Sequence, residues 1–470
     1  MRIMIKNRQV QWLLLLAGIM SLIQVSQAQN KVNYWLTTSD RSKLLEKQAP
    51  LKFTAAKIQN FDSTIIITPS QIAQSIVGFG FALTGGSAQY ISRMSSQKRL
   101  SLIRELFTNE GNGIGISYLR LSIGSSDLND HTFSYDDIAP DATDKKLNYF
   151  SIKEDEQYVV PVLQEILAVN PRIKILACPW SAPVWMKTNH NIQGGMLKPE
   201  LYDVYANYFV NYIKAMRVHG IHIDAITVQN EPFNDGNTPS MQFLAKQELT
   251  FIKNYLGPTL RAAGIGTKII LYDHNCDAPE YPISILTDPA ARQFVDGSGF
   301  HLYAGDISAL SKVHDAFPDK NVYFTEMMVV NHIDFDVAKP EERIVIGALR
   351  NWSRNIILWN LAADRYNRPH TDNGGCASCQ GAITIEGDTV ERNLAYYTIA
   401  HVSKFVPPGS RRISSTNSDG LGNVALLTPD GKTVLIVANN SKSDRNFQIS
   451  YDGKFCHASL KSGSVATYVW

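Results

Sequence analysis

Along the middle of the chain, short unbroken apolar runs alternate with longer stretches in which apolar residues recur at helical spacing. The short runs fall at 76–82, 118–123, 173–179, 225–230, 268–272, 298–302, 322–326 and 356–359. Their length and continuous apolar character predict strands buried on both faces, as in parallel sheets. Between them, 97–107 places Leu100, Ile103, Leu106 and Phe107 on one helical face, and 158–167 and 201–219 read the same way. Strands alternating with helices in this number predict an α/β fold, a (β/α)8 TIM barrel over 76–397.

The flanks carry strand patterning and turns without helices. A β-branched run at 64–68 precedes the barrel, and further runs at 422–427, 433–437, 446–449 and 464–470 follow it. Pro429-Asp430-Gly431-Lys432 and Tyr451-Asp452-Gly453-Lys454 read as tight turns between some of them. These segments predict an attached antiparallel β-sandwich domain formed by N- and C-terminal segments, 29–75 and 398–470. The alternative is a C-terminal sandwich with a loose N-terminal arm. At the start of the chain, Arg2, Lys6 and Arg8 precede an apolar run from Trp12 to Ile23 and then Ser26-Gln27-Ala28. That order predicts a signal peptide over 1–28, because the run is shorter than the ~20 residues of a spanning helix. The mature chain is expected to be exported, periplasmic or extracellular, without stable membrane insertion.

Composition narrows the partner. With 470 residues the chain exceeds one ordinary core, and its net charge of +2 comes without blocks of like charge. No nucleic-acid partner is expected, and the substrate should be uncharged. Seven Trp and twenty Tyr serve mostly as core packing, with some left over as platforms on which sugars could stack. Five cysteines are an odd number, so at least one stays free, while Cys376 and Cys379 could close a local disulfide. Zinc held there with His370 and Asp372 is the weaker reading, since no second cysteine pair is present.

Catalytic residues of a barrel belong at the carboxyl ends of its strands, and these ends are polar or aromatic: Arg120, Trp180, Asn230, Glu231, Asp273, His274, His301, Tyr303, Glu326 and Trp359. Two glutamates stand out. Glu231 closes the fourth run and Glu326 the seventh, so they can face each other across the barrel mouth. Carboxyl groups about 5 Å apart suit a retaining glycosidase, and about 6.5–9.5 Å an inverting one. A single such glutamate would more simply be a surface carboxylate or a partner for a helix N-terminus; the pair is what changes the reading. Pro232 restricts the backbone of Glu231 toward extended geometry. Gly111-Asn112-Gly113-Ile114-Gly115 follows a helix and precedes a strand, the reverse of a phosphate loop, and no Gly-x-Ser-x-Gly elbow occurs.

The stretches FGFALTGGSA at 79–88, LRLSIGSSD at 119–127, CPWSAPVWMK at 178–187 and NEP at 230–232 resemble, in order, those of glycoside hydrolase family 30. That family includes glucosylceramidases and endo-β-1,6-glucanases. The resemblance implies a barrel with an attached β-sandwich and a retaining mechanism on β-linked glycosides. It further implies Glu231 as general acid/base with a raised pKa, Glu326 as nucleophile, and Arg120 beside the nucleophile. Asn230 would bind the sugar's 2-hydroxyl, Asp127 and Trp180 its other hydroxyls, and His301, Tyr303 and Trp359 would line the cleft. No metal or organic cofactor is implied. The stretch Asp372-Asn373-Gly374-Gly375-Cys376 stands where a glucosylceramidase would have Gly-Gly-Pro-Asn, which argues for a β-glucan as substrate and endo-β-1,6-glucanase activity. Glucosylceramidase, exo-β-glucosidase, β-xylosidase and a non-catalytic glycan-binding protein are the alternatives.

Overall fold

A computed structural model describes residues 31–57, 61, 63–139, 141–331 and 335–470. The signal peptide expected at 1–28 lies outside the described residues. Eight parallel strands close into a barrel: Gly78–Ala82, Tyr118–Ser122, Lys174–Cys178, Ala225–Thr227, Lys268–Cys276, Val295–Gly305, Asn321–Glu326 and Ser353–Leu358. Each strand pairs with its sequence neighbour, and the eighth pairs with the first through Ile356 and Phe79. The barrel interior is packed by Tyr118, Leu176, Ala225, Ile270, Tyr323 and Ile357. Because side chains alternate along a strand, the residues two places on, Arg120, Cys178, Thr227 and Trp359, belong to the next layer up, at the mouth.

The outer ring follows from helical periodicity. Ser96–Phe107 buries Leu102, Ile103, Leu106 and Phe107, and Tyr202–Val218 buries Tyr205, Tyr208, Phe209, Tyr212 and Met216 against the strands.

A ten-stranded sheet forms the second domain. The N-terminal strand Lys31–Thr37 runs antiparallel to Ser464–Val469, so the N-terminal segment is woven into the sheet. Ser63–Ser75 pairs antiparallel with Arg411–Ser415 and parallel with Arg445–Tyr451. That one parallel pair departs from the antiparallel expectation. Short turns force antiparallel neighbours, whereas the whole barrel intervenes between these two strands and leaves their relative direction free. Both turns expected from Asp-Gly form, with Gly431 and Gly453 at positive φ. Lys31–Thr37, Arg411–Ser415 and Lys454–Leu460 were not legible as strands, nor was a three-stranded sheet of Ala362–Ala363, Ile383–Glu386 and Thr389–Arg392 that follows the eighth barrel strand.

Candidate active site

The two glutamates meet at the barrel mouth, but they arrive differently. Glu326 is the last residue of the seventh strand. The fourth strand stops at Thr227, so Glu231 sits four residues beyond it on a turn. Its φ is +44°, in the left-handed region and not in the extended geometry that a following proline favours. Such a conformation costs a side-chain-bearing residue about 1–3 kcal/mol and persists only where surroundings enforce it. Here the Glu231 N–H donates to the Asp273 carbonyl at 3.0 Å, and the Asn234 N–H donates to the Glu231 carbonyl at 2.8 Å.

Arg120, fully buried on the second strand, ties the floor together. Its guanidinium donates to Glu326 Oε2, to Asn230 Oδ1 at 2.7 Å and to Asp273 Oδ2 at 2.8 Å. Asp273 also accepts from Thr227 Oγ1 at 2.7 Å and Cys178 Sγ at 3.0 Å. It reaches the interior because Tyr272 and Asp273 both adopt positive φ and the ladder to the sixth strand shifts register there. Tyr303 donates to Glu326 Oε1 at 3.0 Å.

His301 stands between the two glutamates. Its Nδ1 is 3.1 Å from Glu231 Oε1 and 3.7 Å from Glu326 Oε1, while Nε2 is 3.2 Å from Asp273 Oδ1. The Oε1 atoms of the two glutamates therefore lie no further apart than the sum of the first two contacts, so both carboxyl groups face one space at the mouth.

Electrostatics follow from this crowding. Burial would lower the imidazole pKa of His301, but Glu326, Asp273 and Glu231 push it up to about 9. Burial would raise Glu231, yet His274 and His301 beside it hold its carboxyl below the usual range. At Glu326 burial prevails and the pKa is raised, although His301 and Arg120 oppose it. The raised pKa expected at Glu231 is thus not found, because the two imidazoles beside it favour its charged form. Asp127 is pushed up to about 8 by burial and by the charges of Glu326 and Glu231.

Above this floor lies a cleft of about 390 Å³, lined among others by Asp127, Trp180, Glu231, Tyr303, Glu326 and Trp359. The Trp180 and Trp359 rings lie 5.3 Å apart, with the Arg120 guanidinium 4.8 Å from the Trp180 ring. Of the nine expected site residues, six line the cleft and Arg120, Asn230 and His301 are buried beside it. Sequence reasoning assigned no role to Asp273, His274 or Asn234, whose Nδ2 donates to Glu231 Oε2 at 2.7 Å. For the first two, the polar pair closing the fifth apolar run was the available signal. Cys376 and Cys379 form a disulfide on the cleft wall, so their sulfurs are not available as zinc ligands. Cys178, Cys276 and Cys456 are free and buried.

Comparison with known proteins places this geometry in context. Residues 76–406 match the model of the glycosyl hydrolase family 30 TIM-barrel domain, and 409–468 that of the family's beta sandwich domain. The chain is 34% identical over 432 residues to endo-1,6-beta-D-glucanase neg1 of Aspergillus fumigatus, covering 86% of this chain and 87% of that protein. It is 28% identical over 439 residues to lysosomal acid glucosylceramidase of Mus musculus, covering 86% and 83%. The solved structure of the endo-beta1,6-glucanase BT3312 superposes with a TM-score of 0.86 at 33% identity, covering 94% of this chain and 99% of that one. The matched domains span both the barrel that carries the paired glutamates and the sandwich attached to it, and the chain belongs to glycosyl hydrolase family 30.

Proposed function

We propose that this glycoside hydrolase cleaves β-1,6-linked glucan internally, with retention of anomeric configuration, using Glu231 as acid/base and Glu326 as nucleophile. The observation that carries the reading is His301 held between the two carboxylates at 3.1 and 3.7 Å. Glu326, oriented by Arg120 and Tyr303, attacks the anomeric carbon as the glycosidic bond breaks. Glu231 receives a proton from the His301 imidazole 3.1 Å away and delivers it to the leaving oxygen, which leaves Glu231 ionised and His301 neutral. Forming the glycosyl ester removes the negative charge of Glu326. Glu231 then takes a proton from the incoming water, whose oxygen attacks the anomeric carbon and frees Glu326. Asp127, Trp180 and Trp359 supply the polar and aromatic contacts that would orient the reacting sugar.

Linkage and mode of attack are supported by the kinship with two endo-1,6-glucanases at 33–34% identity, a closer kinship than that to the glucosylceramidase. Export through a signal peptide at 1–28 fits the disulfide of Cys376 and Cys379, which persists in an oxidising compartment. Incubation with β-1,6-, β-1,3- and β-1,4-glucans, xylan and glucosylceramide, followed by sizing of products, tests the proposal. Oligosaccharides of mixed length from β-1,6-glucan are expected, with the β-anomer appearing first by NMR. Glucose alone would overturn endo action, and an initial α-product would overturn retention.

A further inference from the structure

His274 is a buried side chain to which the proposed reaction assigns no proton transfer. Only 7% of its surface is exposed, and its Nδ1 has no hydrogen-bond partner. That nitrogen points at Glu231 Oε1 from 3.7 Å, beyond hydrogen-bond distance. On the other side, His301 Nδ1 lies 3.1 Å from the same oxygen. Among the described residues these three form the one group of histidine, cysteine and carboxylate ligands clustered this tightly, all within 4.8 Å of one another and all buried.

The spacing has a chemical meaning. A tetrahedral zinc ion with bonds of about 2.0–2.1 Å holds neighbouring ligand atoms about 3.3 Å apart, and the contacts of 3.1 and 3.7 Å bracket that value. The outer partner is also in place: Asp273 Oδ1 faces His301 Nε2 at 3.2 Å, which leaves Nδ1 free to bind, as carboxylates do for metal-bound imidazoles. The ligand set is two imidazoles and one carboxylate. This suits zinc and its neighbours in the first transition row, not calcium or magnesium, which take oxygen ligands. A fourth position opens toward the cleft that Glu231 and His274 line.

We propose that Glu231, His274 and His301 form a chelating site for a divalent transition metal ion, and that the ion and the glycan exclude one another from the cleft. The ion binds Glu231 Oε1 and both Nδ1 atoms, and any proton on His301 Nδ1 leaves to solvent. Binding itself is independent of the catalytic roles; that it inhibits rests on Glu231 being the acid/base.

Metal-free protein titrated with Zn2+ by calorimetry, and with Co2+ by visible absorption, tests this. One ion per chain is expected, with cobalt ligand-field bands and inhibition competitive with glucan. His274→Ala and His274→Gln should each weaken Zn2+ binding about 100-fold, at the upper end of the ~10–100-fold lost with an outer partner alone, with the fold checked by circular dichroism. Zn2+ affinity equal in these variants and the wild type, or no binding at millimolar Zn2+, would overturn the site. Binding lost in His274→Ala alongside full turnover by Glu231→Gln would instead sustain the metal site and overturn the acid/base assignment.

Discussion

Glu231, Glu326 and His301 occupy so little space that none can change charge without the others responding. The two glutamates should nonetheless separate cleanly by chemistry. Glu231→Ala is expected to lose the roughly 10²–10⁴-fold that a positioned proton donor contributes, and Glu326→Ala still more. Azide should rescue both alanine variants on an activated aryl β-glucoside, giving the β-glycosyl azide from Glu231→Ala and the α-glycosyl azide from Glu326→Ala. Exchange of those two products would reverse the assigned roles. Arg120 carries a structural burden as well. Its removal strands the fully buried Asp273 carboxylate, which Arg120 holds well below the ordinary range against the effect of burial. Arg120→Met should therefore cost about 3–5 kcal/mol in denaturant unfolding, the usual penalty for breaking a buried pair from one side. A loss below 1 kcal/mol would mean that Thr227 and Cys178 suffice to hold Asp273.

At the scale of elements, the eight barrel strands and the longer helices were readable because each has one environment and therefore one period. Tyr202–Val218, for instance, presents tyrosines and Phe209 to the same core along its length. Strands such as Lys454–Leu460 were not readable, because His457 and Ser459 on its open face break the apolar run and Lys454 opens it with a charge. The loop from Thr371 to Cys379 brings its disulfide to the cleft wall. Thr371 donates to the Thr238 carbonyl, and Asn393 and Gln380 hold the segment that follows. The disulfide closes so short a ring that its loop-closure contribution is about 2 kcal/mol. Its larger effect should be on the cleft wall. Cys376→Ser combined with Cys379→Ser is expected to raise KM for glucan several-fold while kcat changes little. A fall in kcat with KM unchanged would place the loop's influence on the reacting sugar instead.

Over the whole molecule, the last barrel helix, Leu394–Ser403, joins the two domains through His401. Its Nδ1 lies 2.9 Å from Thr467 Oγ1 and its Nε2 2.8 Å from Thr37 Oγ1, so one buried imidazole bridges both ends of the sandwich. Thr467 Oγ1 also donates to the His401 carbonyl, which makes it an acceptor for Nδ1–H and leaves Nε2 to accept from Thr37. The ring is thus neutral, and burial pushes its pKa down to about 3. Because the folded value lies below the unfolded one, the stabilisation is complete above about pH 6.5 and is lost as pH falls toward 3. Melting temperature should drop across that window, and His401→Gln should flatten the drop; an unchanged slope would assign acid sensitivity elsewhere. Glu341 works in the opposite direction. Both its oxygens are buried without partners, and burial raises its pKa well above the ordinary value, so stability is present below about pH 4 and lost as pH rises. Glu341→Gln should raise the melting temperature at pH 8 relative to wild type and change little at pH 5.

The chain's own order of residues determined the barrel, the sandwich and the pairing of Glu231 with Glu326, since hydrophobic period and the polar ends of apolar runs are local properties. Tertiary structure alone decided how those ends are used. The positive φ of Glu231 and the paired positive φ at Tyr272 and Asp273 depend on bonds to neighbouring strands. The raised pKa of His301 depends on three carboxylates converging on it from the fourth, fifth and seventh strands or the turns that follow them. Convergence of this kind has no period along the chain, because charge interacts through space and the strands that bring it together are far apart in sequence.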